Sequence, residues 1–127
     1  MSELMSEPQV LVIDDEEHIL TLLRHELGDA GYEVFTAQSG QEGLKLLRTA
    51  RPQAIITDLM MPEMSGSEVT QRIKADPATR HLPVIILSVL EASLPDQPVA
   101  ADAYLTKPVD IEKLLKTLET LMQTQGR

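Results

Sequence analysis

Ala54-Ile55-Ile56-Thr57-Asp58-Leu59-Met60-Met61-Pro62-Glu63-Met64-Ser65-Gly66 decides the fold of this chain. A short apolar run ends in an acid and enters a loop marked by Pro62 and Gly66. The same plan recurs on either side. Val10-Leu11-Val12-Ile13 runs into Asp14 and Asp15, Val84-Ile85-Ile86-Leu87 into Ser88, and Ala103-Tyr104-Leu105-Thr106 into Lys107. Runs of this length, separated by segments of helical periodicity, read as buried strands of a parallel sheet. All strand ends of such a sheet lie on one edge, where open α/β sheets bind ligands. The pattern predicts one site built from three carboxylates, a hydroxyl and an ammonium.

The segments between the runs complete βα units. A strand over Gln9–Ile13 leads to a helix over Glu16–Gly28, with Ile19, Leu20, Leu23 and Leu27 on one face and Gly28 and Gly31 as stop signals. A second strand spans Tyr32–Thr36. Ser39-Gly40-Gln41-Glu42 and Ser65-Gly66-Ser67-Glu68 read as capping boxes. The first opens a helix with Leu44, Leu47 and Ala50 on its apolar stripe, ended by Pro52. The second opens a helix with Val69 and Ile73 inward, stopping near Asp76-Pro77. Further strands cover Gln53–Thr57, Pro83–Leu87 and Ala103–Thr106. The last helix starts at an Asp110 N-cap, with Val109 and Leu114 placed as a hydrophobic staple, and Leu115, Leu118, Leu121 and Met122 continue its buried face. Between Val89 and Asp102, Pro95 and Pro98 cannot both lie inside a regular helix, so any helix there is short, about Val89–Leu94.

The chain has 127 residues, which suits one domain with one core. With two Tyr, one Phe and no Trp, that core is aliphatic. No cysteine is present, which excludes disulfides, thiolate zinc sites and a thiol nucleophile. The formal charge of −9 opposes binding to DNA phosphates and to anionic lipid. The apolar runs are too short to span a bilayer, and the acidic Met1–Pro8 segment has no signal core. The expectation is a cytoplasmic protein with no membrane and no direct nucleic-acid contact. Residues 1–8 form a loose tail, 9–123 the folded unit and 124–127 a frayed end.

Three carboxylates brought together repel: two unit charges ~4 Å apart interact by about 4 kcal/mol at an effective dielectric near 20. Relief comes from a proton or from a divalent cation. Asp14, Asp15 and Asp58 offer only hard oxygen donors, which favours Mg²⁺ or Mn²⁺ over zinc. Lys107 and the Ser88 hydroxyl supply two further contacts for phosphoryl oxygens, and phosphoryl transfer depends on such charge neutralisation more than on acid–base chemistry. Asp58 is the natural nucleophile, since carboxylates form aspartyl phosphates. Taken one at a time the residues are less telling. Asp14-Asp15-Glu16-Glu17 alone reads as an acidic helix start that complements the macrodipole, and a lone Asp after a strand is usually a cap. Ser88 alone reads equally as cap or ligand, and Tyr104 as plain packing. His18, His25 and His81 read as solvated.

Val12-Ile13-Asp14-Asp15-Glu16, Asp58-Leu59-Met60-Met61-Pro62 with Gly66, Ser88 after its strand, and Tyr104-Leu105-Thr106-Lys107-Pro108 together resemble the response-regulator receiver domains of the CheY-like family, over residues 9–123. The resemblance implies a flavodoxin-like (βα)5 doubly wound sandwich with sheet order 2-1-3-4-5, whose fourth helix is here short or irregular. It implies Asp58 as phosphoacceptor, Asp15 as a direct Mg²⁺ ligand, Asp14 assisting through water, and the Met60 backbone carbonyl as another ligand. Lys107 pairs with Asp58 and then with the phosphoryl group; Ser88 is the switch hydroxyl and Tyr104 the aromatic partner that turns inward. A cis bond is implied at Lys107-Pro108, a form found at only about 5–6% of X–Pro steps. The implied partners are a histidine kinase or phosphotransfer protein and a downstream protein, for a domain that stands alone or is a piece of a longer regulator.

Two departures from the family pattern stand out. The Ser88–Lys107 interval is a few residues short, which affects the output surface and not the phosphorylation chemistry. Val89 stands where relatives have a small residue, and it is expected to crowd the phosphoryl group. Neither Met60 nor Leu90 can orient an attacking water, so a long-lived phosphoryl state is expected. A docking module that keeps the fold without the switch is the alternative function. A phosphate-ester hydrolase is disfavoured because the second acid such enzymes carry two positions after the nucleophile is replaced by Met60; the chain reads as a signalling module, not an enzyme.

Overall fold

The computed structural model describes residues 7–89 and 101–125. Five strands, β1 (Gln9–Ile13), β2 (Glu33–Ala37), β3 (Ala54–Asp58), β4 (Val84–Ser88) and β5 (Ala103–Thr106), form one parallel sheet in the order β2-β1-β3-β4-β5. Four described helices accompany them: α1 (Glu17–Asp29), α2 (Gly40–Leu46), α3 (Gly66–Ala75) and α4 (Ile111–Gln125). The fold is the flavodoxin-like doubly wound sandwich. The expected short helix near Val89–Leu94 falls largely on residues outside the described ones.

The central strands are buried on both faces because helices cover both. Every residue of β3 and β4 is buried, which is why their sequences are continuously apolar. Alternate residues feed two cores. Leu11, Ile13, Ile55, Val84 and Ile86 pack with Val69 and Ile73 of α3. Val10, Val12, Ile56, Ile85 and Leu87 pack with Leu20, Leu23 and Leu27 of α1 and with Leu114 and Leu118 of α4. The sheet order reverses between β1 and β3, so a crevice opens at their carboxyl ends.

Several boundaries differ from the sequence expectation, each for a local reason. α1 passes Gly28, and the stop is Gly31, at φ 102°. The Tyr32 N–H then bonds to the Leu27 carbonyl at 3.0 Å. This spends Tyr32 on closing α1, so β2 begins at Glu33, in register with Gln9. α2 ends at Leu46. Leu47 and Ala50 lie in a tightened turn with Arg48 N–H to Lys45 and Thr49 N–H to Leu46 bonds of 3.2 and 3.1 Å. β4 excludes Pro83, which has no N–H, and takes in Ser88, paired with Thr106.

The caps are simpler than expected. Ser39 and Ser65 accept from the N–H groups of Glu42 and Glu68 at 3.1 and 3.2 Å. The return bonds of a full box are absent: Glu42 accepts from Gln38 N–H instead, and Glu68 from Arg72. Asp110 caps α4 through Lys113 N–H at 3.2 Å, with Val109 and Leu114 in one cluster. At the ends of the unit, the Pro8 carbonyl accepts from Glu33 N–H at 2.9 Å, so Pro8 is tied to the sheet and not part of a loose tail. α4 likewise runs to Gln125, into the stretch expected to fray.

Candidate functional site

Two strand ends, those of β1 and β3, place the acidic cluster. Asp14 follows β1 directly, and its N–H continues the ladder to the Ala37 carbonyl at 3.1 Å. One carboxylate oxygen of Asp14 accepts the Glu16 N–H at 2.9 Å, closing the turn into α1. Asp58 is the last residue of β3, with Leu59 N–H bonded to the Leu87 carbonyl at 2.8 Å. Asp14 is 1% exposed and Asp58 4%, whereas Asp15 is open to solvent. Carboxylate oxygens of Asp14, Asp15 and Asp58 all lie within 4.8 Å of one another.

Lys107, just past β5, reaches into this cluster. Its N–H is fixed by the Ser88 carbonyl at 2.7 Å. Its ammonium lies 2.9 Å from Asp14, 3.2 Å from Asp58 and 3.5 Å from Glu16. The following bond, Lys107-Pro108, is cis. Locally Glu16 reads only as part of the acidic helix start, yet the fold sets it beside Lys107. The signal is topological: Glu16 and Lys107 are 91 residues apart.

The loop after Asp58 is held tightly. Gly66 donates to the Leu59 carbonyl at 2.9 Å. A Cβ at Gly66 would run into the Asp58 carbonyl oxygen, so no other residue fits without moving the backbone that carries Asp58. Glu63 sits at φ 70° in the centre of a turn closed by Met64 N–H to the Pro62 carbonyl at 2.7 Å. Met61 and Met64 are buried packing residues of this loop, and the Met60 side chain is 62% exposed.

Ser88 is buried at the end of β4. Tyr104 is paired in register with Ile86 and packs half-buried against the core that includes Ile86. Val89 is 56% exposed beside Ser88.

The electrostatics follow from burial. Desolvation is the largest influence on Asp58 and raises its carboxyl above the ordinary carboxylate range; Asp14 and Asp15 push the same way, while Lys107 opposes. For Lys107, burial alone would favour the neutral amine, but hydrogen bonds and charge from Asp14 and Asp58 outweigh it and hold the ammonium above its usual pKa. The site is thus over-supplied with negative charge. Hard oxygen donors from Asp14, Asp15 and Asp58 around one small space fit a divalent cation, and the described residues offer no competing soft ligand there.

The sequence matches the response regulator receiver domain family over residues 10–119. The chain belongs to that family. This receiver domain of two-component signalling is 31% identical over 116 residues to the polar-differentiation response regulator DivK of Brucella anthropi, covering 89% of this chain and 94% of DivK. It is 36% identical over 123 residues to the DNA-binding dual master transcriptional regulator RpaA of Synechocystis, covering 94% of this chain and 51% of RpaA. The receiver domain therefore spans about half the length of that relative. Among solved structures, chemotaxis response regulator CheY4 of Vibrio cholerae superposes with a TM-score of 0.81 at 35% identity, covering 91% of this chain and 98% of CheY4. Response regulator protein TrrA of Thermotoga maritima, in complex with Mg²⁺-BeF, does so with a TM-score of 0.82 at 33% identity, covering 90% and 98%. Among the described residues, no helix of the receiver domain is long and apolar enough to cross a membrane. Receiver domains are signalling modules and not enzymes in the ordinary sense.

Proposed function

We propose that this receiver domain accepts a phosphoryl group on Asp58 in a Mg²⁺-dependent reaction and thereby changes its affinity for a protein partner. The observation that carries the reading is the Lys107 ammonium lodged between Asp14 and Asp58, within a cluster of three carboxylates. Asp14, Asp15, Asp58 and the Met60 carbonyl would hold a Mg²⁺ or Mn²⁺ ion, which would supply positive charge to the phosphoryl oxygens. The relative TrrA, whose complex contains Mg²⁺-BeF, supports a divalent cation in this fold.

The chain's own residues do the rest. One Asp58 carboxylate oxygen forms the bond to phosphorus as the bond from phosphorus to the donor's histidine nitrogen breaks. The product is an aspartyl phosphate and a free imidazole. Lys107 turns from its carboxylates to a phosphoryl oxygen, and the Ser88 hydroxyl donates to another. Ser88 ends β4 on the strand that pairs with Tyr104, so a shift of Ser88 is passed to that ring and to the surface beside β5. The outcome is a population shift between two partner-binding states. The donor is a histidine kinase or phosphotransfer protein, and the readout is a downstream protein in the cytoplasm. We take residues 9–123 as the functional unit.

Mass spectrometry after incubation with acetyl phosphate and Mg²⁺ tests this. A gain of one phosphoryl group that requires Mg²⁺ and is lost in Asp58→Ala is expected. No gain with either a small donor or a cognate kinase would leave a docking module of receiver fold.

A further inference from the structure

At the opposite edge of the sheet from Asp58, the start of β3, the start of β4 and the ends of α2 and α3 line an open cavity of about 810 Å³. Leu44, Leu47, Pro52 and Ile73 give it an apolar floor. Arg48, Arg51, Arg72 and His81 line it as well. This is unexpected in a chain of net charge −9. Asp76 is the one carboxylate on the wall among the described residues, and it is committed to the Ala78 N–H at 2.9 Å.

Basic residues near helix ends often do no more than complement the macrodipole, and Arg72 fits that account, paired with Glu68 at 2.9 Å. Arg48 and Arg51 do not. Both lie beyond the end of α2, and among the described residues neither guanidinium has a hydrogen bond or an ion pair. Arg51 also holds a left-handed backbone at φ 54°, where glycine would be free of strain. Strain kept at a residue whose side chain faces an open cavity is a mark of use.

We propose that this cavity binds a nucleoside phosphate, with the base against the apolar floor and the phosphate on Arg48 and Arg51. The volume lies within the range of small-molecule pockets, which combine an apolar lining with a few placed polar groups. Its wall carries three arginines, whose planar fork matches a phosphate at two oxygens; the nearby Lys74 is occupied by carbonyls and Asp102. The site is separate from the Asp58 centre and requires no divalent cation.

The test is an amide-shift titration of the full chain with AMP and GMP in the absence of Mg²⁺, with inorganic phosphate and adenosine as half-ligands. Saturable shifts confined to residues 44–53 and 72–82 are expected, with phosphate and adenosine each at least tenfold weaker. Arg48→Gln with Arg51→Gln should weaken the nucleotide about tenfold or more, the scale of losing charged hydrogen bonds. Arg51→Gly should do so while leaving thermal stability equal or higher, because it removes both the guanidinium and the strain. Unsaturable shifts, shifts centred on Asp58, equal response to phosphate alone, or unchanged affinity in the double variant would each overturn the proposal.

Discussion

Lys107 lies closer to Asp14 than to Asp58, at 2.9 against 3.2 Å. The lysine beside Asp58 is therefore shared with a carboxylate that is itself almost wholly buried. Removing the ammonium strands two buried negative charges, a loss that typically amounts to about 3–5 kcal/mol when no other relief exists. Here a proton can offer that relief. Lys107→Met should lower stability by about 2–3 kcal/mol near neutral pH, short of that range because one carboxyl takes up a proton. The deficit should shrink as the pH falls. Urea unfolding at neutral and acidic pH checks this; a deficit independent of pH would contradict it.

Asp58 shows the same excess of charge from the other side. Its carboxyl in the folded domain binds a proton more tightly than in the unfolded chain, through burial first and then Asp14. The sign follows: this group favours folding below the unfolded carboxylate pKa, and the benefit is lost as pH rises through the raised folded value. Asp58→Asn removes that loss. It should be more stable than wild type at neutral pH by about 1 kcal/mol, a shift of several degrees in a domain of this size. Adding Mg²⁺ should raise the wild-type midpoint more than that of the variant, by mass action on a site only the former holds intact. A thermal melt of each, with and without Mg²⁺, decides it.

How much of this was legible in the sequence depends on distance along the chain. The five strands and the residues at their ends came from local patterns: apolar runs closed by Asp14, Asp58, Ser88 and Lys107. Boundaries slipped by one residue where a backbone group had a second use, as with the Tyr32 N–H that closes α1. The sharing of Lys107 among Asp14, Asp58 and Glu16 joins residues up to 93 apart and depends on strand order. Periodicity carries no such information. Arg48 and Arg51, without partners among the described residues and set beside a cavity with an apolar floor, were equally invisible, because each reads locally as an ordinary surface cation.

Gly66 tests the rigidity of the loop. Its Cα faces the Asp58 carbonyl with no room for a methyl group. Gly66→Ala must displace the backbone at Asp58 and should cost about 2–3 kcal/mol, in the range of overpacking. It should also slow acetyl-phosphate labelling of Asp58 at saturating Mg²⁺. Normal stability together with a normal labelling rate would show that the loop yields at little cost.

A second fastening holds the far side of the sheet. The Lys74 ammonium donates to the carbonyls of Arg80 and Leu82 and to Asp102, at 3.2, 2.8 and 3.0 Å. The same Asp102 oxygen accepts the Val84 N–H at 2.8 Å. Lys74→Met removes the cation and leaves carbonyls and a half-exposed carboxylate that water can reach. The expected loss is about 1 kcal/mol, since charge pairs of this exposure are screened. Asp102→Ala should cost more, about 1–3 kcal/mol, because the buried Val84 amide loses its side-chain acceptor. Paired denaturant melts rank the two; the reverse order would place the energy in the ion pair instead of the amide.

The lifetime of the phosphoryl group proposed on Asp58 should turn on its neighbours Met60 and Val89, which are 62% and 56% exposed. Neither side chain carries an oxygen or nitrogen acceptor that could align a water for attack on phosphorus. Exposure also bears on the crowding expected of Val89: a side chain this open can obstruct the approach to Asp58 without pressing on the buried Ser88. Val89→Ala should therefore speed both phosphorylation and dephosphorylation by a similar factor. Met60→Glu should act on one direction, because a carboxylate there can hold the attacking water while doing little for the incoming donor. Its effect on loss of the group should reach about tenfold or more, short of the roughly hundredfold or greater gain of a fully positioned base. Decay of radiolabel from Asp58 in the two variants separates steric access from water alignment. Equal decay rates in wild type and Met60→Glu would mean that some other group already positions the water.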